Sequence, residues 1–344
     1  MNNHAMNPVL AEVYRNNVVE SCHRGSAVVV DSKGKTVLAI GDTDRKIYPR
    51  SSLKLFQAIP LLESGAADQF KLSDKEIALA CASHNAEQFH IDAVHNWLHR
   101  LGLDTDDLEC GPDFPMSDAL NSTSKRKLLT DRGEPARVYQ NCSGKHCGML
   151  TLARHLGVQT NGYSEYQHPT QQAWMKTFSE LVGIDATTLD WERDGCGLPA
   201  ICVPMERVAY GWALFANPEV VGGRRGQAMS RIMSSIQAHP QMIAGTGRCC
   251  TDVIKATGGF VVVKTGAEGV YAGVLPELGL GLTLKIDDGA TRGSEVALGG
   301  LLMKLGAIDS EIREQLGRHF EPIIYNTQKK ATGKIMAASI WMSG

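Results

Sequence analysis

The placement of strand-forming segments at both ends of the chain is the strongest constraint on its fold. Ser26–Asp31 (SAVVVD) and Lys35–Gly41 (KTVLAIG) are short β-branched runs joined through Lys33-Gly34, the pattern of a hairpin. Three more runs lie far downstream: Gly259–Thr265 (GFVVVKT), Gly269–Leu275 (GVYAGVL) and Leu278–Ile286 (LGLGLTLKI). Short turns with Gly or Pro link these three, which predicts an antiparallel meander. A sheet that draws on residues 26–41 and 259–286 together argues against independent halves. Between them, Ala86–Leu101, Ser143–Leu156, Pro169–Val182, Pro199–Phe215 and Arg225–Ala238 carry apolar residues at helical spacing, as do Gly293–Leu305 and Ser310–Leu316 near the end. The expected fold class is α+β. An antiparallel sheet of about five strands is built from both termini, with an inserted, mostly helical lobe. Residues 1–344 form one unit, with a sheet lobe of 20–48 and 258–344 and a helical lobe of 49–257.

Composition narrows the function classes. Thirty-five basic residues face 37 acidic ones, a formal charge of -2, with no basic block, so no electrostatic footprint for nucleic acid is expected. Apolar runs such as Phe260–Val263 fall far short of the ~20 residues of a membrane span. Residues 1–20 mix Asn, His, Glu and Arg without an apolar stretch, so no secretory signal is expected and the chain is assigned to the cytoplasm. Nine cysteines, an odd number in a long chain, read as reduced thiols rather than a disulfide framework.

The candidate chemistry begins at Pro49-Arg50-Ser51-Ser52-Leu53-Lys54, which reads as a helix start before Phe56 and Ile59. Ser51 and Lys54 are three apart, neighbours on one helical face. A neutral lysine amine there would take the proton of a serine hydroxyl, provided burial or nearby positive charge lowers its pKa. The S-x-x-K pattern alone is weak, for it occurs four times. Ser32/Lys35 lies in the hairpin turn, and Ser122/Lys125 and Ser124/Lys127 lie in a polar stretch, where solvated loops are expected. Two further fragments add weight: Ser83-His84-Asn85, an S-x-N triplet, and Lys264-Thr265-Gly266, a K-T-G at a strand end. In this chain order the three are the elements of serine β-lactamases and penicillin-binding proteins. The plainer alternatives are a helix cap at Ser83–Asn85 and a charged edge-strand residue at Lys264.

At these residues the chain resembles the rhizobial-type, or class 3, L-asparaginases, a family similar in fold to glutaminases and serine β-lactamases. The resemblance runs from Glu20–Gly25 to Lys285–Gly289. Its most specific pieces are Pro49–Lys54, Asn141–His146, Asp194–Pro199 and Ala244–Arg248. It implies hydrolysis of L-asparagine to L-aspartate and ammonia, with no organic cofactor and a homodimeric assembly. It implies Ser51 as nucleophile and Lys54 as base. Ser83 and Lys264 form a second pair that relays protons and lowers the pKa of Lys54. It further implies zinc at Cys142, Lys145 and Cys196, beside the reaction centre and engaged in substrate binding.

Taken on their own, Cys142 and Cys196 read as buried core thiols, since free cysteine is among the most buried residue types. A structural zinc site normally takes four Cys or His ligands. Cys142, Lys145 and His146 nevertheless share one presumed helix start, and Cys196 lies between Gly195 and Gly197. Two thiolates, a neutral amine and a water would make a tetrahedral shell favouring zinc over magnesium or calcium, of modest affinity and preparation-dependent occupancy. The metal orients substrate rather than generating hydroxide. The other seven cysteines, Cys22, Cys81, Cys110, Cys147, Cys202, Cys249 and Cys250, read as packing thiols.

The expected reaction is a double displacement through an aspartyl ester on Ser51. The Ser51 amide and the strand near Lys264–Gly266 supply the oxyanion donors. Arg50 and His146 are candidates for the substrate α-carboxylate. Asp194 is a candidate for orienting Lys145 or the substrate amine. Arg248 is a further possibility beside its plainer role in a Gly-rich turn, and Asp287-Asp288-Gly289 reads as a turn with a helix cap. The alternatives are a glutaminase, a β-lactam-interacting Ser-Lys hydrolase, and a zinc-dependent redox or ligand sensor. Glutamine is close, because one methylene carries only about 1–3 kcal/mol of discrimination.

Overall fold

The computed structural model describes residues 6–116 and 133–342. Its strands are, in chain order, β1 (Val9–Arg15), β2 (Val18–Asp31), β3 (Thr36–Ile40), β4 (Lys46–Ile47), β5 (Trp191–Arg193), β6 (Pro199–Ile201), β7 (Val203–Pro204), β8 (Val262–Gly266), β9 (Val270–Leu275), β10 (Leu280–Ile286), β11 (Ile323–Tyr325) and β12 (Ala331–Ala337). The chain divides into two compact units. The first is Met1–Ser52, Val203–Ala216 and Val253–Gly344; the second is Leu53–Cys202 and Asn217–Asp252.

The first unit is organised on β2. Its N-terminal half pairs with β1, from Val18 against Arg15 to Arg24 against Val9. Its C-terminal half pairs with β10, from Gly25 against Ile286 to Asp31 against Leu280, and also with β3. The β2–β10 ladder joins the two ends of the chain, and the sheet runs β11-β12-β1-β2-β10-β9-β8. Val28 and Val30, two apart on β2, point to one face and pack with Ile47, Met205, Ala209 and Val270. A second cluster of Ala11, Val13, Val296 and Ile335 packs β1 and β12 against the helix Thr291–Lys304.

The expected antiparallel sheet of about five strands forms, with β2, β3, β8, β9 and β10 as its predicted members, and three more strands among the described residues extend it to eight. The three extra ones are β1, β11 and β12. β12 (ATGKIMA) carries Gly and Lys and lacks clean alternation, and β11 is three residues long. Neither announces a strand without its partner. The expected helix Pro199–Phe215 is corrected: Pro199–Ile201 and Val203–Pro204 are extended, and only Met205–Leu214 is helical. Pro204 forces the residue before it out of the helical region and so delays the helix to Met205.

The second unit is mostly helical: Lys54–Glu63, Asp74–Ala80, Gln88–Leu101, Ser143–Leu156, Pro169–Val182 and Gly223–Ala238. Ser73 and Glu76 form a capping box at one start, and Pro169 occupies the first position of another. Gly102, Gly157 and Gly183 close three of these helices with left-handed backbone. Phe56 meets Phe178 edge-on at 5.2 Å, and the buried Trp97 donates to Thr151 Oγ1 at 2.8 Å. Among the described residues, no helix is long and apolar enough to cross a membrane.

Close packing in the first unit depends on Gly281 of β10. A Cβ there would lie 2.1 Å from the Ala209 carbonyl oxygen and 2.3 Å from the Ala213 nitrogen, both backbone atoms of the overlying helix. Gly281→Ala is therefore expected to lower stability by about 2–3 kcal/mol through overpacking, read as a lower urea midpoint.

Candidate active site

The helix Lys54–Glu63 opens with a lysine that is wholly buried. Its Nζ donates to the Ala82 carbonyl at 2.5 Å, to Ser83 Oγ at 2.9 Å and to Cys142 Sγ at 3.1 Å. Two chain segments, Ala82–Ser83 and Cys142, thus converge on one nitrogen and supply three acceptors, one for each donor of an ammonium. Burial, the largest influence, pulls the Lys54 pKa below the usual lysine value; Cys142 opposes this and Lys145 adds to it.

Next to it lies a second amine–thiol contact, in which Lys145 Nζ donates to Cys196 Sγ at 3.1 Å. Cys142, Lys145 and Cys196 are all buried. Cys142 caps the helix Ser143–Leu156, Lys145 lies in its first turn, and Cys196 lies in the turn before β6. Of the two thiols, Cys196 is the one favoured as thiolate. The bond donated by Cys142 lowers its pKa well below the thiol range, and Lys145 reinforces the effect against burial. The same bond pushes the Cys142 thiol up. Burial opposes the charge on Lys145, but Cys196, Cys142 and Asp194 outweigh it and hold that ammonium above the ordinary lysine value. Two buried sulfurs and a buried amine are a donor set of the kind that suits a soft metal.

Two histidines sit in buried chains around this cluster. The His84 ring accepts at Nδ1 from the Ala86 amide (3.1 Å), so its Nε2–H donates to Ser143 Oγ at 2.9 Å, and that hydroxyl donates to the Val138 carbonyl at 3.1 Å. His84 N–H also donates to the Asn141 carbonyl at 3.1 Å, tying the Ser83 segment to the cysteine loop. His146 Nδ1 lies 2.6 Å from the Tyr163 hydroxyl, while its buried Nε2 has no partner among the described residues. Burial, then the Lys145 charge, lowers the His146 pKa to about 3, so the ring is neutral at ordinary pH. The Gly-rich turn at 244–248 is pinned by Glu87, which accepts from the Thr246 amide (2.6 Å) and hydroxyl (2.8 Å); Arg248 donates to Asn85 Oδ1 at 3.0 Å.

In the first unit, Arg50 and Ser51 belong to a 3-10 turn, Arg50–Leu53, that leads directly into the helix at Lys54. Arg50 has φ 55, a left-handed conformation that a non-glycine residue adopts only at some cost, immediately before Ser51. Ser52 Oγ donates to the Pro49 carbonyl at 2.8 Å, and Trp212 Nε1 donates to the Ser52 carbonyl at 3.2 Å, fixing this turn. The end of β8 abuts it: a Cβ on Gly266 would lie 2.3 Å from the Pro49 oxygen. Lys264 on the same strand is 1% exposed and donates to the Thr265 carbonyl at 2.9 Å, so it is no solvated edge-strand charge.

The L-asparaginase II family model matches residues 11–337, nearly the whole chain. The chain belongs to the L-asparaginase II family. Membership makes it an asparaginase-type amidohydrolase. No curated protein matches it by sequence. Among solved structures it is similar to Mglu in its tris and glutamate form, at 14% identity and TM-score 0.45, covering 92% of this chain and 64% of that one. It is also similar to a class C β-lactamase mutant (13%, TM-score 0.40, 78% and 89% covered) and to a β-lactamase from Mycobacterium bovis (11%, TM-score 0.30, 78% and 89%). At such scores these likenesses add nothing to the family match.

Within this family member, the second unit brings Lys54, Ser83, Cys142, Lys145 and Cys196 together, with His146 and Asp194 close enough to act electrostatically on Lys145 or to be acted on by it. The first unit holds Arg50, Ser51 and Lys264. Ser83 is no helix cap: the following helix is capped at Glu87, and the Ser83 amide donates to the Ile243 carbonyl at 2.9 Å. Ser32/Lys35 lies at the β2–β3 turn, as expected, whereas Ser122/Lys125 and Ser124/Lys127 fall outside the described residues. Cys22 is corrected from a packing thiol to an exposed one on β2, where it belongs to the run Val18–Cys22 that is exposed throughout, and Cys202 is half-buried. The sequence reading missed Glu109 and Tyr163, for nothing in the local pattern of either relates them to His146. Ser143→Ala would strand the His84 Nε2–H without an acceptor, and a loss of about 1–3 kcal/mol is expected in thermal or urea unfolding.

Proposed function

We propose that this chain is an L-asparaginase that hydrolyses L-asparagine to L-aspartate and ammonia through a serine ester. The observation that carries it is the wholly buried Lys54 amine, 2.9 Å from Ser83 Oγ, in a chain that matches the L-asparaginase II family.

Ser51 is the nucleophile and attacks the side-chain amide carbon, with Lys54 accepting its proton. A base of this kind must be neutral, and the burial that lowers the Lys54 pKa favours that form. Ser83 and Lys264 make the second pair, which delivers a proton to departing ammonia; water then hydrolyses the aspartyl ester. The oxyanion is held by the Ser51 amide and by an amide at the end of β8, each donor contributing roughly 3–4 kcal/mol. The close approach of Gly266 to Pro49 supports this pairing of segments. Arg50 and His146 bind the α-carboxylate, and Asp194 orients Lys145 or the substrate amine. The left-handed Arg50 preceding Ser51 is a backbone outlier of the sort that clusters at reacting groups.

The family resemblance also implies zinc, and the donors fit it: Cys142, Lys145 and Cys196 would hold the ion. When bound, zinc supplies a Lewis-acidic anchor that orients a substrate oxygen. The residues themselves hold protons that binding must displace. The Cys142 thiol and the Lys145 ammonium both sit above their ordinary pKa values, so each is protonated at neutral pH. Zinc affinity is therefore expected to rise with pH, by about tenfold per unit for each proton released, in competition titrations at pH 6.5 and 8.5. Cys142→Ser should lower the metal content of the purified protein; unchanged content removes the cysteine site from the account.

Ser51→Ala tests the function directly. Loss of all ammonia release from L-asparagine, with an unchanged circular dichroism spectrum, is the expected result; retained turnover rejects Ser51 as nucleophile. Assayed in parallel, L-glutamine should be turned over more slowly than L-asparagine. Faster turnover of L-glutamine would instead support the glutaminase alternative.

A further inference from the structure

Tyr163 is held from every side. Its side chain is fully buried. The Glu109 carboxylate accepts from the amides of Gly162 and Ser164, the residues flanking it. The Tyr163 carbonyl accepts from Gln171 Nε2 at 2.9 Å, and Gln171 is itself fixed by Trp174 Nε1 at 2.8 Å. The phenol oxygen accepts the Glu109 amide proton at 2.9 Å and lies 2.6 Å from His146 Nδ1.

The direction of that last bond follows from counting protons. The Glu109 amide can only donate, so the phenol has its one proton available for His146 Nδ1. Were His146 to donate instead, the phenol proton would be buried without an acceptor. A neutral imidazole that accepts at Nδ1 carries its proton at Nε2. That Nε2–H is itself buried and has no partner among the described residues. An unmet donor of this kind is unfavourable unless a ligand takes its hydrogen. His146 adjoins Lys145 in the first turn of its helix, and Lys54 and Cys142 are close enough to act electrostatically on its ring.

We propose that Tyr163 is a positioning residue: its phenol locks His146 as the Nε2–H tautomer, and that hydrogen is donated to the α-carboxylate of the bound amino acid. The assignment rests on the asparaginase reading above. The α-carboxylate is remote from the scissile amide, so the bond is equally strong in the ground and transition states. Its loss therefore raises KM and leaves kcat in place.

The test uses long-range proton–nitrogen NMR on the native protein labelled with 15N-histidine, the His146 signal being assigned by its loss in His146→Gln. The expected spectrum shows the proton on Nε2 and a shift of that proton on adding L-aspartate. β-Alanine, which is L-aspartate without its α-carboxylate, should not produce the shift. A proton on Nδ1, no response to L-aspartate, or an equal response to both compounds overturns the proposal. These readouts need no variant. In Tyr163→Phe, both tautomers should become populated and the KM for L-asparagine should rise about tenfold with kcat within about twofold. Weaker binding of L-aspartate and β-alanine alike would mark a merely structural role and overturn it. Absence of ammonia release by the native protein would instead sink the asparaginase reading, while the tautomer and the L-aspartate response would still decide this one.

Discussion

The second unit depends on the burial of one amine. An ammonium removed from water without partners costs several kcal/mol, so a buried lysine must be surrounded by acceptors or lose its proton. At Lys54 the acceptors come from two places: a carbonyl and a hydroxyl on Ala82–Ser83, beyond the helix Asp74–Ala80, and a thiol at the start of the helix Ser143–Leu156. Each of those segments must be fixed for the amine to be satisfied. The hydrogen bonds that His84 makes to Ser143 and Asn141 fix the two to each other.

The same principle governs the cysteines. A buried thiolate and a buried ammonium are each unfavourable alone, and the Lys145–Cys196 contact at 3.1 Å neutralises both. Cys142 then joins the two amines, accepting from Lys54 and donating to Cys196. Charge is distributed so that Lys54 is pulled toward neutrality while Lys145 is held charged. Two lysines in one pocket with opposite pKa directions are suited to different tasks, the pattern by which pairs of titratable groups divide their roles. Lys54 is suited to accept a proton, and Lys145 to pair with an anion.

The sheet shows where sequence patterns succeed and where they stop. β2, β8, β9 and β10 carry continuous β-branched or apolar runs because much of each is buried, and such runs mark strands without reference to a partner; β3 is mostly exposed and is marked by its β-branched residues and the turn before it. β12 is half-exposed along most of its length and mixes Lys and Gly with apolar residues. Its state is set by the ladder it makes with β1, from Ala11 against Ala337 to Tyr14 against Lys334. The apolar spacing through Met205–Leu214 extends back to Pro199 and predicts a longer helix than the prolines at 199 and 204 allow.

Sequence by itself determined the residue types that can carry the chemistry: Ser51 and Lys54 at a spacing of three, the Lys264-Thr265-Gly266 strand end, and Cys142 with Lys145 at a helix start. These are local patterns, and local backbone preferences express them directly. Tertiary structure alone decided which of those groups meet. Lys54 and Cys142 are 88 positions apart and Lys145 and Cys196 are 51 apart, and no periodicity links them. It also decided that Lys264 is buried, and that the His146 ring is oriented by Tyr163, itself placed by Glu109. Hydrogen-bond partners and burial are properties of packed neighbours, and packing brings distant segments together by shape and by the need to satisfy every buried polar group.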